Sequence, residues 1–152
     1  MEGGNEMRFN TQICTTREQS RHLIALGVKK ETADCRWVGC VKDAKGNDIP
    51  TKKQVWCIKA SSDESAMTCG FTRYDFIPAW SLHRLMSLCP SYIGAFDFTL
   101  SHGYVEYVMW NDCGNYVKRL MSVNSPFDGM IDCIERLIKE GNINKEYLEE
   151  TK

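Results

Sequence analysis

No stretch of this 152-residue chain is apolar for long enough to cross a bilayer, which excludes a membrane-spanning helix of the usual length. Neither sign of charge dominates. Nineteen Lys and Arg stand against 20 Asp and Glu, for a formal net charge of −1, so no global field attracts nucleic acid or an anionic membrane, and only a local patch can do so. Residues 1–10 lack both the basic start and the apolar middle of a secretory signal, which points to a cytoplasmic protein. There is no Gly-rich phosphate loop, internal repeat or low-complexity segment. Histidine is scarce too: the three present, His22, His83 and His102, sit in no nucleophile elbow or Cys/His signature.

What the chain does have is the composition of a soluble globular protein, 43% apolar and 26% charged, and enough length for one domain with a core of its own. Its eight cysteines would suggest a disulfide scaffold in a short secreted protein, but without an export signal they read as reduced thiols. No pair has C-x-x-C spacing. The closest, Cys35 and Cys40, fall on opposite faces of an expected strand, so a zinc site is not indicated.

Local signals set out the elements. A capping box occurs twice over, as Thr15 with Glu18 or Thr16 with Gln19, and it opens a helix whose apolar face is Leu23, Ile24 and Leu26 and which Gly27 ends. Residues 36–41 and 55–60 are β-branched and aromatic, with a reversal at Lys45-Gly46-Asn47-Asp48, and predict a hairpin. If Gly46-Asn47 is its two-residue turn, Trp37 lies directly opposite Trp56. Residues 61–70 read as a surface loop. A short helix capped by Ser81 and stopped by Pro90 carries Leu82, Leu85, Met86 and Cys89 on one side, and Trp80 precedes it as a staple. Three strands follow at 95–101, 104–110 and 116–123 as a meander. The last helix has Ser125 as N-cap, Pro126 in its first turn and Gly141 at its exit, and it places Phe127, Met130, Ile131, Ile134, Leu137 and Ile138 on one face.

This order is not the regular alternation of a parallel doubly wound sheet. It predicts an α+β fold: one largely antiparallel sheet of about five strands, hairpin plus meander, with three helices packed mainly on one face. The expected layout is a flexible leader over 1–10, a single domain over 11–148 and a charged tail over 149–152.

Three blocks read together carry a resemblance: 10–20 (NTQICTTREQS) running to Leu26-Gly27-Val28, then 77–82 (IPAWSL), then the final helix ending 141–148 (GNINKEYL). They resemble a group of short uncharacterised proteins encoded in gut Bacteroidetes genomes, often within prophages and other mobile elements. The resemblance implies a mobile-element context and a cytoplasmic protein. That family carries no activity or catalytic residue to transfer.

The residues themselves favour binding over catalysis. Asp128 with Asp132, and Glu149 with Glu150, are explained by helix charge patterning and a solvated end. No cofactor or metal is implied, and of the three histidines only His102, in a turn, stands where function tends to lie. The middle strand of the meander is apolar on both sides, so something must cover its second face: the hairpin, the 61–70 loop or a partner. A non-enzymatic accessory protein acting through a protein partner or self-association is therefore expected, with Trp37, Trp56, Tyr107 and Trp110 as its interaction surface. The alternative is a nucleic-acid-binding protein, in which Lys42, Lys45, Lys52 and Lys53 on the hairpin supply the phosphate contacts.

Overall fold

The structure is a computed structural model that describes residues 12–62, 73–114, 116–122 and 125–150. The expected leader over 1–10 and most of the 61–70 loop lie outside the described residues. The fold is α+β, with helices α1 (Arg17–Ala25), α2 (Leu82–Leu88) and α3 (Pro126–Glu140) and strands β1 (Cys35–Lys42), β2 (Val55–Ala60), β3 (Arg73–Ala79), β4 (Tyr92–Ile93), β5 (Phe96–Leu100), β6 (Val105–Trp110) and β7 (Tyr116–Ser122).

The strands form two antiparallel sheets, not the single five-stranded sheet expected from the sequence: β2-β1-β3, and β4-β5-β6-β7. The difference comes from β3, which pairs with β1 from Cys35↔Ala79 to Lys42↔Arg73 and so occupies the hairpin edge the meander would have needed. Its Pro78 weakens the strand signal in the sequence. Proline lacks the N–H for a ladder, yet at a sheet edge that N–H has no strand to meet, and β3 is an edge.

The hairpin register also differs. Trp37 faces Ile58, and Trp56 faces Gly39. The two-residue turn at Gly46-Asn47 is not used, because Asp43 closes a longer turn: its N–H donates to the Asn47 carbonyl at 2.9 Å, and its Oδ1 accepts from the Lys45 and Asn47 amides at 2.9 Å each. Gly46 supplies the left-handed residue this turn requires, at φ 84°. A 3₁₀ turn, Thr51–Lys53, then leads into β2.

The main core lies where α2 and α3 pack on the inner face of the larger sheet. Leu85 and Leu88 of α2, Met130, Ile134 and Leu137 of α3, and Val105 and Tyr107 of β6 are fully buried there. Phe98 meets Tyr107 edge-on with ring centroids 5.5 Å apart. The apolar stripe of α3 therefore closes the core as its spacing predicts, and Gly141 ends the helix at φ 70°. Ser125 occupies the cap position without capping the backbone; its hydroxyl donates instead to Asp128 Oδ2 at 3.0 Å. Four successive residues of β6, Val105 to Val108, are buried, so both faces of that strand are covered, as its two-sided composition predicts.

Trp80 joins the two halves. It is the largest fully buried side chain among the described residues. Its indole N–H donates to Thr32 Oγ1 at 2.9 Å and its backbone N–H to Thr15 Oγ1 at 3.0 Å. That use of Thr15 decides the capping box in favour of Thr16 and Gln19, whose reciprocal bonds measure 3.1 and 2.9 Å. The start of the charged tail is anchored as well: Leu148 bridges Val28, and the Glu149 amide donates to the Gly27 carbonyl at 2.7 Å.

Candidate nucleic-acid interface

An open cleft of about 830 Å³ lies where α1 runs beside the smaller sheet. Its chemistry follows from three pieces of local structure. The Thr16 cap starts α1 at Arg17, and one turn on, at i+4, Arg21 projects from the same side. Both arginines line the cleft. Among the described residues Arg21 has no ion pair.

The second piece is a stack. The Arg17 guanidinium lies over the Trp56 ring, 4.6 Å from its centroid. On the neighbouring strand Gly39 is directly opposite Trp56, and a Cβ at Gly39 would overlap Cδ2, Cε2 and Cε3 of the indole. The indole therefore rests on the Gly39 backbone. Its Nε1, buried, has no acceptor among the described residues. A Trp37 N–H bond to the Thr15 carbonyl, at 2.9 Å, fixes the start of α1 against the same sheet.

The third piece is the far end of the hairpin. Lys42 lines the cleft and pairs with Asp48 at 2.9 Å. Thr51 and Gln54 continue the wall, and Gln54 Nε2 holds the Ile49 carbonyl at 3.1 Å. The turn that supplies Thr51 carries Lys52 and Lys53, both exposed, and Lys45 is exposed in the Asp43 turn. Asp43 is committed to that turn, where the Asn47 and Lys45 amides hold its carboxyl below the usual carboxylate range. Asp48 and Asp75 are the carboxylates of the lining.

The structure thus brings Lys42 together with Arg17, Arg21 and Trp56, with Lys52 and Lys53 exposed on the turn beside Thr51. Arg17 and Arg21 had no role in the sequence reading. The signal available was their i, i+4 spacing; what no local pattern could supply was the sheet packed beside them.

The four expected interaction residues do not form one surface. Tyr107 is fully buried, its hydroxyl donating to the Pro90 carbonyl at 2.6 Å, because it sits on the core face of the central strand. Trp37 is half-buried and tied to Thr15, and Trp56 lies between Arg17 and Gly39. Trp110 alone of the four is open, at 70% exposure.

No group of three or more potential metal ligands is present among the described residues. His102 is exposed in its turn, beside a smaller cavity of about 300 Å³ with Leu82, Leu100, Ser101 and Pro126. His22 bonds Glu135 across the α1–α3 gap at 3.2 Å, and His83 is exposed. The thiols described are free. Burial, reinforced by the nearby Cys35 and Asp34, pushes Cys14 up to about 12, and Cys89 is raised by its hydrogen bond with Cys133 and by burial. Neither is a thiolate at neutral pH. No protein-family model, curated protein or solved structure matches the chain.

Proposed function

We propose that the chain is a non-enzymatic binding protein for single-stranded nucleic acid, with the cleft between α1 and the smaller sheet as its binding groove. One observation carries this reading: Arg17 and Arg21 from a helix and Lys42 from a hairpin line one cleft, and the turn that supplies Thr51 to its wall also carries the exposed Lys52 and Lys53. A neutral chain needs such a local patch to bind a polyanion. The concavity favours a flexible single strand over a rigid duplex, whose phosphates lie on a convex surface. Of the carboxylates near the patch, Asp43 is engaged in its turn and Asp48 on Lys42, which leaves Asp75 as the other acidic group of the lining. The expectation of a mobile-element protein is compatible with this activity and does not depend on it.

Binding of fluorescein-labelled single-stranded DNA, followed by anisotropy, tests the proposal. Contacts from Arg17, Arg21, Lys52 and Lys53 with four phosphates imply a salt slope of about −2.8, so affinity falls about 50-fold between roughly 50 and 200 mM salt. A second reading rests on Trp110. An indole at 70% exposure is the residue type favoured at interface hot spots, and it supports protein association at the outer end of β6. Loss of self-association in Trp110→Ser, measured by sedimentation, tests that reading.

A further inference from the structure

We infer that Arg17 and Arg21 form a phosphodiester subsite that reads the backbone of the strand, and that Trp56 serves as a platform for Arg17 and does not stack on a base. This rests on the nucleic-acid reading of the cleft. A tryptophan beside basic residues is ordinarily taken as a surface for stacking a nucleobase. Here both indole faces are occupied. One lies on Gly39, where even a methyl group would overlap it, and the other carries the Arg17 guanidinium at 4.6 Å.

The consequence concerns Arg17. A guanidinium held over a ring face by its Cζ still has N–H donors free to meet two phosphate oxygens in a fork. Stacking also removes much of the side chain's rotational freedom before any ligand arrives, so less is lost on binding. Arg21, one turn along the same face, supplies a second cation within reach of the same phosphate or its neighbour. Recognition built in this way is indifferent to base identity. Lysine at position 17 would keep the charge and lose the fork.

Anisotropy titrations of labelled oligo(dT) and oligo(dA), each of about 16 nucleotides, test the inference in the wild type and in Arg17→Gln, Arg17→Lys, Trp56→Phe and Trp56→Ala. Circular dichroism confirms that each variant is folded. Arg17→Gln should remove one phosphate contact, so that the affinity loss between roughly 50 and 200 mM salt shrinks from about 50-fold to about 18-fold. Trp56→Phe should behave as wild type because the ring platform survives, whereas Trp56→Ala should keep the wild-type salt dependence with weaker binding, since Arg17 retains its charge and loses only its platform. Arg17→Lys should keep the wild-type salt dependence with weaker binding at every salt concentration. The two oligomers should bind within about 3-fold of each other. If the wild type binds but Arg17→Gln leaves the salt dependence unchanged, or if Trp56→Phe and Trp56→Ala both weaken oligo(dA) more than oligo(dT), the subsite is overturned while the nucleic-acid reading stands. If the wild type binds neither oligomer at low salt, both fall together.

Discussion

Gly39→Ala is the most informative single change, because one methyl group tests the packing that supports the cleft. An ideal Cβ at that position lies 2.5 Å from Cε3 of Trp56 and closer still to Cδ2 and Cε2. Carbon atoms rest about 3.5–4.0 Å apart, so the indole must withdraw by about 1 Å or β1 must bend. Overpacking of this kind costs about 1–3 kcal/mol. Alanine recovers about 0.5–1 kcal/mol of the backbone entropy that glycine forfeits in a strand. Destabilisation should therefore be about 1–2 kcal/mol, read from urea unfolding followed by circular dichroism. The cause is isolated by a double-mutant cycle. In the Trp56→Ala background nothing remains for the methyl to strike, and Gly39→Ala should become neutral or mildly stabilising, a coupling of about 1–3 kcal/mol. If Gly39→Ala costs the same with and without Trp56, the stack of Gly39, Trp56 and Arg17 does not exist as described.

Other consequences follow from the core and the thiols. Ile134→Asp places a carboxylate among fully buried apolar side chains of α3 and should cost about 4 kcal/mol or more, abolishing the cooperative thermal transition seen by circular dichroism. Iodoacetamide at mildly alkaline pH should label the exposed Cys57 and Cys113 while Cys14, Cys89 and Cys133 stay protected, as peptide mass mapping would show. Glu135 is held below the usual carboxylate range by Lys139 and then by His22. Its folded pKa is thus lower than the unfolded value, so its contribution to stability is present above pH 4.5 and is lost as pH falls through the folded pKa. Glu135→Gln should melt below wild type at neutral pH and match it in strong acid.

The sequence revealed most where the determinants were local. The α1 capping box, the Ser81 cap, the stripe from Phe127 to Leu137 and the Gly141 exit each depend on residues a few positions apart, and all carry through to the structure, save the Ser125 hydroxyl. Non-local features did not show. Pro78 concealed β3, because a proline in a strand is harmless only at an edge, and edges are defined by partners distant in sequence. The Trp37–Trp56 pairing failed because the reversal closes at Asp43 and Asn47 and the chain then inserts the Thr51–Lys53 turn between Asp48 and Val55, which shifts β2 against β1. Tyr107 resembled an interface residue because an aromatic on a central strand is equally suited to a core. The lysines in and beside the cleft, Lys42 with Lys45, Lys52 and Lys53, were legible as a cluster on one hairpin. The arginines of the cleft were not, since the polar face of an amphipathic helix says nothing of the sheet that will pack beside it.

The salt dependence of single-stranded DNA binding addresses the function of the cleft most directly. Anisotropy should report binding at roughly 50 mM salt that weakens about 50-fold by roughly 200 mM, with Arg17→Gln lowering that sensitivity to about 18-fold. Absence of binding to single-stranded DNA and RNA at about 20 mM salt, where each phosphate contact counts most, would contradict it.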